Sequence, residues 1–263
     1  MTSHDHLKHL VSGSDRAQIG MWLATGDPVA AEICAAAGLD WLVVDTEHAP
    51  NDLRSVLRHL QVLAGYRVCP VVRPAVADSV LLKQLLDIGA RNFIVPMIDS
   101  AEAAASVVRA VRYPPRGVRG VGATLARSSR WGLVDDYFDH ADDDVTVIVQ
   151  AETTAALASL DAIVATDGVD GVFIGPADLA GSMGLLGQAS HGDVVEAVER
   201  SLAVIAGAGK IAGVNTFDPA LAARYRAAGA NLISVGADVT LLARGARSLA
   251  STFISATQVD IGY

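Results

Sequence analysis

Short apolar runs recur along this chain, and between them the apolar residues fall at helical spacing. The runs are Gln18 to Ala24, Asp40 to Asp45, Arg67 to Arg73, Asn92 to Pro96, Val145 to Glu152, Gly171 to Ile174, Ile211 to Asn215 and Asn231 to Val235. Helical patterns occupy Pro28 to Ala37, Leu53 to Leu63, Ser79 to Ile88, Ala101 to Val111, Thr154 to Ala165, Val194 to Ala208 and Pro219 to Ala228, after a short amphipathic start at Leu7 to Val11. Several end on glycine, as in Ala36-Ala37-Gly38, Ile88-Gly89-Ala90 and Ala228-Gly229-Ala230, where a left-handed residue stops the helix. Strand alternating with helix predicts a parallel sheet. Eight such units in 263 residues predict an α/β fold of TIM (β/α)8 type, one domain over residues 1–263. No Gly-x-Gly-x-x-Gly turn follows the first strand, which argues against an open dinucleotide-binding sheet.

The run Val145-Thr-Val-Ile-Val-Gln-Ala-Glu152 breaks the apolar pattern at its end. Side chains alternate along a strand, so Ile148, Gln150 and Glu152 share one face, and an amide and a carboxylate point toward the core. A buried carboxylate is costly unless it is paired, protonated or bound to a cation. The next run, Asp170-Gly-Val-Phe-Ile-Gly-Pro-Ala-Asp178, also ends in an acid. If the two strands are parallel neighbours about 4.8 Å apart, Glu152 and Asp178 meet at one rim. Two hard oxygen ligands with open positions beside them describe a divalent-cation site.

In such a barrel the active site lies at the C-terminal rim. The polar strand ends are Asp45-Thr-Glu-His48, Arg73, Gln150 with Glu152, Gly175-Pro-Ala-Asp178, and Asn215. Each has a structural reading too. Asp178 and Glu152 suit helix starts, His48 suits a loop, and Arg73 suits an ion pair with Asp45 or Glu47. Convergence of all five on one rim favours chemistry. Lys8, Lys83 and Lys210 finish no strand, so a Schiff-base mechanism has no nucleophile, and a carbonyl substrate would be polarised by a metal or an arginine.

Composition narrows the partners. With 29 acids against 20 bases the net charge is -9, which argues against nucleic acid. The two cysteines, Cys34 and Cys69, fall in apolar patterns and predict buried thiols in a reducing cytoplasm. The start Met1-Thr-Ser-His-Asp-His-Leu-Lys has no apolar leader core, and no run approaches membrane-spanning length. The segment from Tyr113 to Asp144 is too long and too rich in Gly, Pro and Arg for an ordinary turn, and is open to two readings: a cover over the site, or a surface excursion or oligomer contact.

Several stretches together carry a family resemblance. Val44-Asp-Thr-Glu-His-Ala-Pro-Asn51, Val72-Arg-Pro74, Arg91-Asn-Phe-Ile-Val-Pro-Met97, Arg119-Gly-Val-Gly122, Val149-Gln-Ala-Glu152 and Gly168 through Leu179 resemble the class II pyruvate aldolases of the 4-hydroxy-2-oxoheptanedioate aldolase and 2-dehydro-3-deoxyglucarate aldolase family, within the aldolase/citrate lyase superfamily. The resemblance implies a phosphoenolpyruvate/pyruvate-type barrel that reversibly cleaves 4-hydroxy-2-oxo acids to pyruvate, or hydroxypyruvate, and an aldehyde through an enolate. It implies Mg²⁺, Mn²⁺ or Co²⁺ on Glu152 and Asp178, with Arg73 at the keto oxygen and Gln150 steadying substrate or water. It implies His48, oriented by Asp45, as the acid/base relay, and substrate carboxylate bound around Gly175, Pro176, Ala177 and Asp178. It also implies a homohexamer with C-terminal helices, about residues 239–253, exchanged between subunits. The rival readings are a CoA-thioester lyase of the citrate lyase beta type and a non-catalytic barrel that binds a 2-oxo acid.

Overall fold

The structure is a computed structural model that describes residues 6–254. The first five residues of the amino-terminal stretch discussed above, and residues 255–263, lie outside the described part. Eight parallel strands close into a barrel in sequence order: β1 (Gln18–Leu23), β2 (Trp41–Asp45), β3 (Cys69–Arg73), β4 (Asn92–Val95), β5 (Thr146–Ala151), β6 (Gly171–Ile174), β7 (Ile211–Asn215) and β8 (Leu232–Ala237). All eight fall on the apolar runs of the sequence.

The helices are α1 (Leu7–Ser12), α2 (Pro28–Ala35), α3 (Leu53–Leu63), α4 (Ser79–Asp87), α5 (Ala101–Val111), α6 (Tyr137–His140), α7 (Thr154–Ala158), α8 (Leu160–Val164), α9 (Pro176–Ser182), α10 (Gly192–Gly207), α11 (Pro219–Ala227) and α12 (Asp238–Phe253). Side chains that accept backbone N–H groups start many of them. Asp27, Asp78 and Asp218 each accept two N–H groups of the following turn, and Asp52 forms a capping box with Ser55. The single helix expected over Thr154 to Ala165 breaks at Ser159 into α7 and α8.

Strand alternation divides the core into two layers. Outward residues such as Val44, Val72, Val147 and Val149 pack under the helices. Inward residues, among them Trp22, Trp41, Val43, Val71, Ile148 and Phe173, fill the barrel. Glycines leave room for the largest of these. A Cβ on Gly20 would collide with the Trp41 indole, and one on Gly213 with the Phe173 ring. α1 closes the N-terminal end, where Leu7 and Val11 join the interior cluster and the Leu7 N–H donates to Asn92 Oδ1 at 2.9 Å.

The 113–144 segment lies at this same N-terminal end. It leads from α5 into β5, Arg127 donates to the Ile88 carbonyl at 3.0 Å, and Asp144 pairs with Arg91 at 3.2 Å beside the start of β4. A cover over the C-terminal rim is thereby ruled out for this segment within its own barrel, because a helix-to-strand connection emerges opposite the strand ends. Only Asp238 of α12 is buried; Leu241, Leu242, Leu249 and Phe253 face outward. Cys34 and Cys69 are buried and form no disulfide, and among the described residues no helix is long and apolar enough to cross a membrane.

Candidate active site

The inward parity of three strands ends in a polar residue at the same rim. β2 presents Trp41, Val43, Asp45; β3 presents Cys69, Val71, Arg73; β5 presents Ile148 and Gln150, followed by Glu152. Asp45 and Arg73 are register partners on adjacent strands.

Their side chains form a two-pronged pair. Arg73 Nε and Nη2 donate to Asp45 Oδ1 and Oδ2, each at 2.8 Å, and the guanidinium stacks 4.2 Å from the centre of the Trp22 ring. Arg73 Nη1 lies 3.0 Å from Glu47 Oε2, an ion pair without the alignment of a hydrogen bond, so that oxygen is buried with no hydrogen-bond partner. Of the five guanidinium N–H groups, three face these carboxylates and two remain for another acceptor. Trp22 Nε1 in turn donates to Asn215 Oδ1 at 3.1 Å, which ties the strand-seven end to the arginine's support.

His48 does not take the partner expected for it. Asp45 is held by Arg73 and by the Glu47 N–H at 3.0 Å, whereas the carboxylate near His48 Nε2 is Glu47, at 3.8 Å. The His48 side chain is 66 % exposed. The reason is geometric: Asp45 ends the strand facing inward, and three residues on, the chain has left the sheet. Glu47, expected from the sequence only as an alternative ion-pair partner of Arg73, is the carboxylate that joins the arginine to the histidine.

Glu152 is 2 % exposed. Its Oε1 accepts the Met97 N–H at 2.8 Å, and Gln150 Nε2 donates to its Oε2. Met97 holds a left-handed backbone, φ 57°, which turns that N–H at the end of β4 toward the carboxylate. No cationic side chain pairs with Glu152 among the described residues. Burial therefore raises its carboxyl from the usual 4.5 to about 7, and the charges of Asp178 and Glu47 push the same way. Burial likewise raises Glu47, against the pull of Arg73 and His48, with Asp45 and Asp178 adding to the rise. Asp178 thus acts on both glutamates, and the three acids share one field.

Gly175 lets this arrangement close. A Cβ there would stand 2.8 Å from Glu152 Oε2. Pro176 opens α9 and has no N–H to offer a ligand, so it fixes backbone direction only. Ala177 and Asp178 lie exposed in the first turn, where an acid also suits the helix dipole. Gln150 uses its amide nitrogen on Glu152, and its Oε1 is buried without a partner. Among the described residues no three His, Cys, Asp or Glu side chains cluster tightly enough to cage an ion by themselves.

Fold and rim define an α/β-barrel enzyme. A sequence model of the family described as HpcH/HpaI aldolase/citrate lyase matches residues 18–245. The hydroxypyruvate/pyruvate aldolase of Deinococcus radiodurans is 55% identical over 246 residues, 94% of this chain and 88% of that protein. The 4-hydroxy-2-oxo-heptane-1,7-dioate aldolase of Salmonella dublin is 49% identical over 238 residues, 90% of each. A crystal structure of an HpcH/HpaI aldolase/citrate lyase family protein from Burkholderia cenocepacia superposes with a TM-score of 0.89 at 42% identity, covering 95% of this chain and 99% of that one. The chain belongs to the HpcH/HpaI aldolase/citrate lyase family, and it is an aldolase, a carbon–carbon lyase.

Proposed function

We propose that this aldolase reversibly cleaves 4-hydroxy-2-oxo acids to pyruvate or hydroxypyruvate and an aldehyde, with a divalent cation held by Glu152 and Asp178. The observation that carries the reading is the Glu152 carboxylate, buried among other acids with no positive partner among the described residues, a few strands from an arginine with donors to spare. The donor set fits Mg²⁺, Mn²⁺ or Co²⁺, since two carboxylates leave further positions for oxygens of water and substrate. A cation bound there would orient the 2-oxo acid and polarise its keto group.

The protein's own groups supply the rest. Arg73, immobilised by Asp45, Glu47 and Trp22, aims its two remaining N–H groups at the keto oxygen and stabilises it as it becomes the enolate oxygen. The C3–C4 bond breaks when the 4-hydroxyl proton leaves through a water to His48 Nε2, and the electron pair passes into the enolate. Glu47 Oε2 balances the charge that His48 gains. The same proton store then serves C3 of the enolate and yields pyruvate. Gln150 fixes the orientation of Glu152, and its free Oε1 accepts from a bound water or a substrate hydroxyl. The N–H groups of Ala177 and Asp178 suit the substrate carboxylate. The names of the relatives support the substrate class.

The outward apolar residues of α12 support a homo-oligomer in which this helix lies against a second copy, a hexamer by family resemblance. The two buried cysteines, which form no disulfide, support a cytoplasmic setting. A panel of 4-hydroxy-2-oxo acids of varied length and terminal charge, with a CoA thioester as control, tests the reading through release of pyruvate. Turnover of the thioester alone, or activity that survives complete removal of divalent ions, would overturn it.

A further inference from the structure

The barrel carries a second cluster of chemistry at the end remote from the carboxylates. A cavity of about 80 Å³ opens where α3 ends and β3 and β4 begin, and Arg91, Arg127, Arg130 and Ser128 line it. Five residue steps along β4 and its exit lead from Asn92, in this wall, to Met97 at the rim, roughly 16 Å at strand rise.

Three observations point to an anion. First, the positive charge is not balanced from within. Arg91 pairs with Asp144 at 3.2 Å, but among the described residues neither Arg127 nor Arg130 has a carboxylate within ion-pair distance. Burial, then the like charges of Arg130 and Arg91, lower the pKa of Arg127, which is the mark of a guanidinium lacking a counter-ion. Second, Arg127 is held in place without being neutralised. It lies over Gly89, where any Cβ would strike Nη1, and it spends one N–H on the Ile88 carbonyl at 3.0 Å. Third, Ser128 is 8 % exposed and its Oγ is buried with no hydrogen-bond partner. Buried hydroxyls without partners are uncommon in native proteins and call for an explanation such as a missing ligand or water.

We propose that this cavity binds a small dianionic oxyanion of the phosphate class, either free phosphate or the phosphate group of a small metabolite. Two unbalanced guanidinium groups match a dianion rather than a carboxylate, and Ser128, with its unpartnered hydroxyl, lines the same cavity. The volume holds a single tetrahedral oxyanion with its nearest waters. Because α3, β4 and the 113–144 segment all meet here, occupancy ties the segment to the barrel floor and stabilises the folded chain.

Calorimetric titration of the full-length, chelator-treated protein with inorganic phosphate, and separately with glycerol 3-phosphate, tests the proposal. The expected result is one saturable site, weakened about tenfold or more by Arg127→Gln and by Arg130→Gln, and less by Ser128→Ala. Arg130 is exposed, so its variant keeps the fold even if Arg127→Gln does not. Pyruvate release by the Arg130 variant with its cation restored should stay within about twofold of wild type, since the cavity is remote from the rim. Binding of both probes identifies a phosphate monoester site, and binding of inorganic phosphate alone identifies a free-ion site. Absence of saturable heat up to about 50 mM, or equal affinity in wild type and the arginine variants, would overturn the proposal.

Discussion

Arg73 grips Asp45 through two parallel hydrogen bonds of 2.8 Å, across the last register pair of β2 and β3. The aspartate is thus not a partner of His48 but the brace that sets where the guanidinium points. Asp45→Asn keeps the shape and loses the charge-assisted pair. Its kcat for pyruvate release should fall about 10²-fold, while far-UV circular dichroism stays that of the wild type. Arg73→Lys should fare no better, because an ammonium cannot span both Asp45 oxygens and still reach Glu47. Near-normal kcat in either variant would remove the electrophile from the mechanism.

Gly175→Ala introduces a methyl 2.8 Å from Glu152 Oε2 and forces that carboxylate aside. Apparent Mn²⁺ affinity, read by titrating activity and by isothermal calorimetry, should drop about 10- to 100-fold with little change in melting temperature. Unaltered affinity would show that Glu152 does not hold the ion.

Glu152 titrates near 7 in the cation-free protein, raised from 4.5 by burial. A carboxyl with a raised folded pKa stabilises the fold fully below its unfolded value, and that contribution disappears as pH climbs toward the folded one. Cation-free wild type should therefore lose stability between pH 4.5 and about 7, by at most about 3 kcal/mol, relative to Glu152→Gln, which has no proton to lose. Denaturant melts across that range measure the difference. A constant gap between the two proteins would contradict the buried, unpaired carboxyl.

Removing divalent ions with a chelator should abolish turnover without unfolding the barrel, and Mg²⁺, Mn²⁺ or Co²⁺ should restore it. Ions must displace the Glu152 proton, so their affinity should rise with pH through about 7.

Leu242→Asp with Phe253→Asp places charges on the outward face of α12. Multi-angle light scattering should report a smaller assembly than wild type. No change in mass would mean that the helix covers nothing.

The strand order, the acids at the ends of β5 and β6, and the glycine helix stops were legible because each is a local pattern: apolar runs, alternation, punctuation. The Asp45–Arg73 pair was half legible. The sequence offered Asp45 or Glu47 as the ion-pair partner of Arg73; alternation puts Trp41, Val43, Asp45 and Cys69, Val71, Arg73 on matching faces, but it does not show that the arginine takes both carboxylates at once. The link from Glu47 to His48, and the Met97 N–H on Glu152, depend on loop backbone beyond the strand ends, including a left-handed methionine that no propensity announces. The position of the 113–144 segment was legible only from its order, helix before and strand after, since composition says nothing of which end of a barrel a loop leaves.

The nesting of the Phe173 ring against a bare Gly213 makes that pair a single variable, whereas Gly20 is fixed outright because a Cβ there would also meet the Trp41 backbone carbonyl. A bulkier residue at 213 demands a smaller one at 173 in the same step, and neither change alone is neutral. Among descendants of this chain the two positions should drift in tandem, leaving a covariation signal far from any catalytic group.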